Sequence, residues 1–139
     1  MDNLAAWQRQ PGQPLLIEPA EVPALAPGEI LVRNEAVAIN QLDYLLQDAA
    51  VLPWLDYPVI AGSDVAGTVV AVGKGDQRFS VGDRVLGQAV GTIVNLPSQG
   101  AFQQHTVVLA HMRASWMPLE VYCPPDNISG RQRWKSVTR

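Results

Sequence analysis

Between Glu29 and Ile39 apolar and polar positions alternate closely enough to predict a strand. Ile30, Val32, Ala36 and Ala38 share one face, with Glu29, Leu31, Arg33 and Glu35 on the other. Leu31, Val37 and Ile39 break strict alternation. Val65 to Val72 is almost continuously apolar and reads as a buried strand. Gly67 inside it costs stability, so it is expected where another backbone comes close. Leu4 to Glu18 reads as two short strands around the turn Gln10-Pro11-Gly12-Gln13-Pro14. Phe79 anchors the turn at Gly82-Asp83, Arg84 to Leu86 follows as a strand, and Gly100 to Leu109 reads as another with Phe102, Val107 and Leu109 as core candidates. Pro19 to Gly28 and Ala49 to Asp56, which carries Trp54, read as loops. The period becomes helical once, over Asn40 to Gln47. There Leu42, Leu45 and Leu46 follow at i, i+3, i+4, Asn40 is placed as N-cap, and Asp43 stands three residues on, close to a capping box.

Composition narrows the picture. The chain has 139 residues, 47% hydrophobic and 17% charged, which suits one domain with its own core. Eleven glycines and eleven prolines imply many turns and favour β architecture. A net charge of −3 gives no reason to expect nucleic acid or an anionic membrane as partner. No apolar run reaches the ~18 residues a membrane span needs. With no secretory pattern at Met1-Asp2-Asn3 and a single cysteine, Cys123, a soluble cytoplasmic chain is expected. Residues 113–139 differ in character: two acidic and five basic residues, against eleven and five before them. This stretch reads as an irregular basic tail after a domain spanning 1–112.

Local chemistry is sparse. Gly73-Lys74-Gly75 follows a strand, but a phosphate cradle needs a third glycine and then a helix; Arg78 and Phe79-Ser80-Val81-Gly82-Asp83 supply neither, so a hairpin turn is expected. His105 and His111, the two histidines, lack the company of a metal site and read as packing or surface residues. Asn40, Asp43, Asp64 and Asp83 each have a local explanation as caps or turn partners.

The ordered motifs together resemble the N-terminal, GroES-like domain of the medium-chain dehydrogenase/reductase superfamily. They are Pro27-Gly28-Glu29-Ile30-Leu31-Val32-Arg33, Ala38-Ile39-Asn40-Gln41-Leu42-Asp43, Pro58 to Gly67, Val72-Gly73, Phe79, Gly82-Asp83-Arg84-Val85, and Gly100 to His105. Within the superfamily the chain is most similar to zinc-independent quinone oxidoreductases and fungal enoyl reductases. The resemblance implies a mainly β fold, a partly open GroES-like barrel with one short helix. It also implies NADPH-dependent reduction of an activated double bond (enoyl, enone or quinone, as a small molecule or thioester), with the nicotinamide in a cleft bordered by this domain. It assigns Asn40 and Asp43 to the cofactor side of that cleft, and Tyr44 and Trp54 to its substrate wall, with no catalytic residue assigned. The zinc-dependent branch carries a cysteine where Asn40 stands and a His-Glu pair where Ser63-Asp64 stands, so no metal site is expected.

The family's Rossmann domain is not expected within these 139 residues. Roughly 27 residues from 113 onward cannot build a crossover sheet. A truncated catalytic-domain half is therefore expected, inactive and without tight NADPH binding by itself, its barrel open at one edge and prone to self-association or aggregation. The alternative is a non-enzymatic binding module that uses the open edge, with a homo-oligomer as one outcome.

Overall fold

A computed structural model describes residues 1–75 and 78–110, and the backbone of 134–136. Two antiparallel-based sheets carry the fold. In the smaller, β1 (Leu4–Gln8) lies between β2 (Leu16–Pro19) and the two-residue β4 (Val59–Ile60). In the larger the order is β7-β3-β5-β6-β8, built from β3 (Glu29–Ala38), β5 (Asp64–Val72), β6 (Arg84–Gln88), β7 (His105–Leu109) and β8 (Trp134–Ser136). A bridge between Ala5 and Gln103 joins the sheets, which do not close; the expected mainly β, partly open architecture stands.

The core forms on the larger sheet, where its long strands pair. Ile30 and Val32 of β3, Val65 and Val69 of β5, Val85 of β6 and Val108 of β7 pack with Phe79, the expected anchor before the Gly82-Asp83 turn. At the turn itself Asp83 Oδ2 accepts the Ser80 N–H at 2.9 Å, the local role its sequence position suggests. Gly67 faces Arg33, whose carbonyl oxygen leaves no room for a Cβ. This is the close backbone approach expected of it. Gly73-Lys74 leads into a turn, the Gly73 N–H reaching Glu29 O at 2.7 Å, and no helix follows over 78–83.

Four features depart from the sequence pattern. The face assigned to β3 holds only at its start: Ile30 and Val32 are buried, but Leu31 is too, whereas Ala36 and Ala38 are exposed. Register shifts at Leu31/Val32 and Asn34/Ala36 re-aim the side chains, as a bulge does. The strand expected over Gly100–Leu109 begins at His105; before it, Gly100 to Gln104 form a loop, with Phe102 and Leu109 half-buried. Helical structure also exceeds the one short helix expected. Beside α1 (Gln41–Asp48) stand α2 (Gly91–Val94) and a 3-10 turn at Pro97–Gln99. Trp134–Ser136, within a tail read as patternless, pairs parallel to Arg84–Leu86. His111 and Cys123 lie outside the described residues.

Candidate functional site

The start of α1 organises the site. Asn40, in extended conformation, ends the β3 segment and caps the helix, while Asp43 at N3 takes the Asn40 backbone N–H at 2.7 Å. The side chain of Asn40 lies toward the N3 backbone as in a capping box but makes no cap hydrogen bond there, the Asp43 N–H donating instead to the Asn40 carbonyl oxygen at 3.0 Å. The second oxygen of Asp43 accepts the Gly62 N–H at 3.1 Å, so one buried carboxylate ties the helix to the strand connection that leads into β5. Leu46 supplies the helix's buried anchor against Leu55 and Val59, with Leu42 half-buried beside it, whereas Leu45 is exposed. Asp64, at the first position of β5, accepts a hydrogen bond from Asn40 Nδ2 at 2.6 Å. Burial pushes the Asp43 carboxyl above its ordinary range, the Asp64 charge adds to that, and the two backbone N–H groups pull against it.

Asn40, Asp43 and Asp64 thus converge. Tyr44 stands one helical turn beyond Asn40 and is exposed. Trp54 is held elsewhere: its indole N–H donates to Thr92 O of α2 at 3.2 Å, and its loop is clasped further by Asp56 N–H to Asn95 Oδ1 at 3.1 Å and Asn95 Nδ2 to Asp56 Oδ2 at 2.6 Å. The hydrogen bond of Trp54 thus runs to α2 and not to the Asn40 corner. Asp64, 24 positions from Asn40, is the member that local spacing could not supply, because tertiary pairing of β3 with β5 brings it in.

The contact between Asn40 and Asp64 is a hydrogen bond rather than a pair of metal donors. The atoms of Asn40 and Asp64 that meet are a donor and its acceptor, and an amide amino group offers no lone pair to a cation. Among the described residues no group of three His, Cys, Asp or Glu could hold a metal ion.

Beside the corner runs an apolar groove of about 570 Å³ between the two sheets, walled by Leu4, Ile17, Val37, Ile39 and Phe102. Ile17 and Ile39 are 70% and 79% exposed. Ala36–Ala38 of β3 pair with β5 but, among the described residues, not with β7, so this half-strand keeps one edge open next to the groove. At the groove floor Asn34 Nδ2 reaches Ala101 O, Gln103 O and Thr106 Oγ1 at 2.9, 2.8 and 2.8 Å.

A partly open β structure with a capped helix set beside its core is a GroES-like arrangement. Residues 26–118 match the alcohol dehydrogenase GroES-like domain, and the chain belongs to that family. It is 49% identical over 117 residues to dehydrogenase pigH of Monascus ruber, covering 81% of this chain and 32% of that protein. It is 43% identical over 106 residues to the lovastatin nonaketide synthase enoyl reductase component lovC of Aspergillus terreus, covering 76% and 25%. Among solved structures, an alcohol dehydrogenase superfamily protein from Novosphingobium aromaticivorans superposes with a TM-score of 0.68 at 35% identity, covering 78% of this chain and 32% of that one. The chain spans about a third or less of the length of these relatives.

Proposed function

We propose that this chain is the catalytic-domain side of a nicotinamide cleft in an NADPH-dependent, zinc-independent oxidoreductase that reduces activated double bonds: enoyl thioesters, enones or quinones. The Asn40–Asp64 hydrogen bond carries this reading. It occupies the corner where the zinc-dependent branch of the family has its ligands, and it commits those positions to each other. The relative named as an enoyl reductase component supports the substrate class. Asn40 would meet the nicotinamide or substrate, Asp43 would set the helix start, and exposed Tyr44 would wall the substrate side. Trp54, turned toward α2, would reach substrate only from the far side of its loop. The cofactor's phosphates find no cradle among the described residues, since no glycine turn there opens a helix of useful length. The chain alone is therefore expected to be inactive. Its setting is proposed to be cytoplasmic, without nucleic-acid or membrane partners; no helix among the described residues is long and apolar enough to cross a membrane.

Cobalt(II) titration tests the zinc-free reading without needing activity. The wild-type chain should give no tetrahedral cobalt spectrum, whereas the triple variant Asn40→Cys, Ser63→His, Asp64→Glu should gain a thiolate–cobalt band. A tetrahedral site in the wild-type chain would overturn it.

The groove favours a second reading, a binding module whose functional surface is the open edge. Its proposed occupant is a second copy, because each copy offers both the outer edge of β2 and the apolar walls, a self-complementary pair. Native mass spectrometry should then show a dimer that Ile39→Lys disperses; a monomer at all concentrations contradicts this second reading.

A further inference from the structure

Two carboxylates stand at the Asn40 corner, and their partners divide their roles. Asp43 is buried and holds backbone: the N–H groups of Asn40 and Gly62. Asp64 is half-buried, and its hydrogen-bond partner is a side chain, the Asn40 amide. The fold has little need of Asp64. The helix start is already secured by Asp43. The Asp64 backbone is fixed by cross-strand pairing with Ala38 and Gln88, which any strand-compatible residue could make. A second anion beside the buried Asp43 carries a cost, seen in its contribution to the raised Asp43 pKa. Groups that work against local stability while gripping one side chain are expected where function constrains the sequence.

We propose that Asp64 is a positioning residue, holding the Asn40 amide in one orientation, amino group toward β5, at the corner of the cleft. This rests on the reading of Asn40 as a cleft contact. A charge-assisted bond to the amino group fixes the side chain about its last torsion, so a nicotinamide or substrate group meets the amide in one pose. A freely turning amide would offer donor and acceptor in turn and would have to be ordered at each binding event.

Nuclear magnetic resonance on the full chain tests this without cofactor. In the wild type the Asn40 side-chain amide should be rigid, with an order parameter near about 0.85, falling below about 0.6 in Asp64→Ala and recovering in Asp64→Asn, whose carbonyl can still accept. Backbone amide shifts of Gln41–Asp48 should stay in place in both variants, and the thermal midpoint of Asp64→Asn should not fall. An Asn40 amide already mobile in the wild type overturns the proposal. So does loss of α1 or of folding in either variant, which would make Asp64 a structural residue. None of these outcomes depends on NADPH or metal binding, so the proposal can fail while the functional reading stands, and the reverse.

Discussion

At the residue scale, the Asp43 carboxylate is the group most exposed to test. It accepts two backbone N–H bonds through two oxygens, and an asparagine could accept only one of them while turning its amino group toward the other donor. Asp43→Asn should therefore cost about 1–3 kcal/mol in urea unfolding at neutral pH. The raised pKa also sets a pH dependence. The folded state holds the Asp43 proton more readily than the unfolded chain, whose value is 3.8, so the Asp43 contribution falls as pH rises above that point. His105 has the opposite sense to a partnered histidine. Burial first, then Arg33 and the N-terminal ammonium, lower its pKa below 6.5, so its proton is bound more readily by the unfolded chain. Stability from this group is complete above pH 6.5 and declines as pH falls toward the folded value. Replacing His105 with Gln should flatten the stability profile over that interval, and an unchanged profile would show that another group sets it. Gly67→Ala should cost about 1–3 kcal/mol, because the new methyl meets the Arg33 carbonyl with backbone on both sides.

At the scale of elements, what could be read in the sequence depended on how local its cause was. The helix was legible because Asn40, Asp43 and the leucines signal it within eight residues. The Phe79–Asp83 turn and the close approach at Gly67 were legible for the same reason. The exposed half of β3 was not, since the register shift at Asn34/Ala36 reflects pairing with β5, and Ala36, Val37, Ala38 and Ile39 look inward by composition alone. Nor was α2: Gly91-Thr92-Ile93-Val94 has β-forming composition, and its four-residue turn is closed by an Asn95 in left-handed conformation, φ 61°, that Asp56 holds from another loop. The candidate site was half legible, Asn40 and Asp43 from capping chemistry and Asp64 only through the sheet. Truncating residues 131–139 provides a test at this scale. It removes β8 and leaves the β6 edge unpaired, so sedimentation velocity should show increased self-association relative to the full chain. Equal behaviour of the two would mean that β8 does not cover the edge in solution.

At the scale of the whole molecule, the family membership gives the lineage, and the proposed role is one side of an enzyme cleft. The core of Ile30, Val32, Val65, Val69, Val85 and Val108 holds the larger sheet together, and Ile30→Ala should remove about 2–5 kcal/mol of its stability. Against that core stand a groove with exposed Ile17 and Ile39 and the capped start of α1, with no cradle for a dinucleotide among the described residues. On the proposed reading lineage and activity separate: the residues of this domain would shape the nicotinamide pocket, while affinity for the cofactor would reside in the roughly two-thirds of its relatives' length that this chain does not span. The most direct test is a fluorescence titration of the purified chain with NADPH. The account predicts no saturable change, with any dissociation constant weaker than about 1 mM, equivalent to less than about 4 kcal/mol of binding. Saturation in the micromolar range, with or without turnover of an enone, would contradict it.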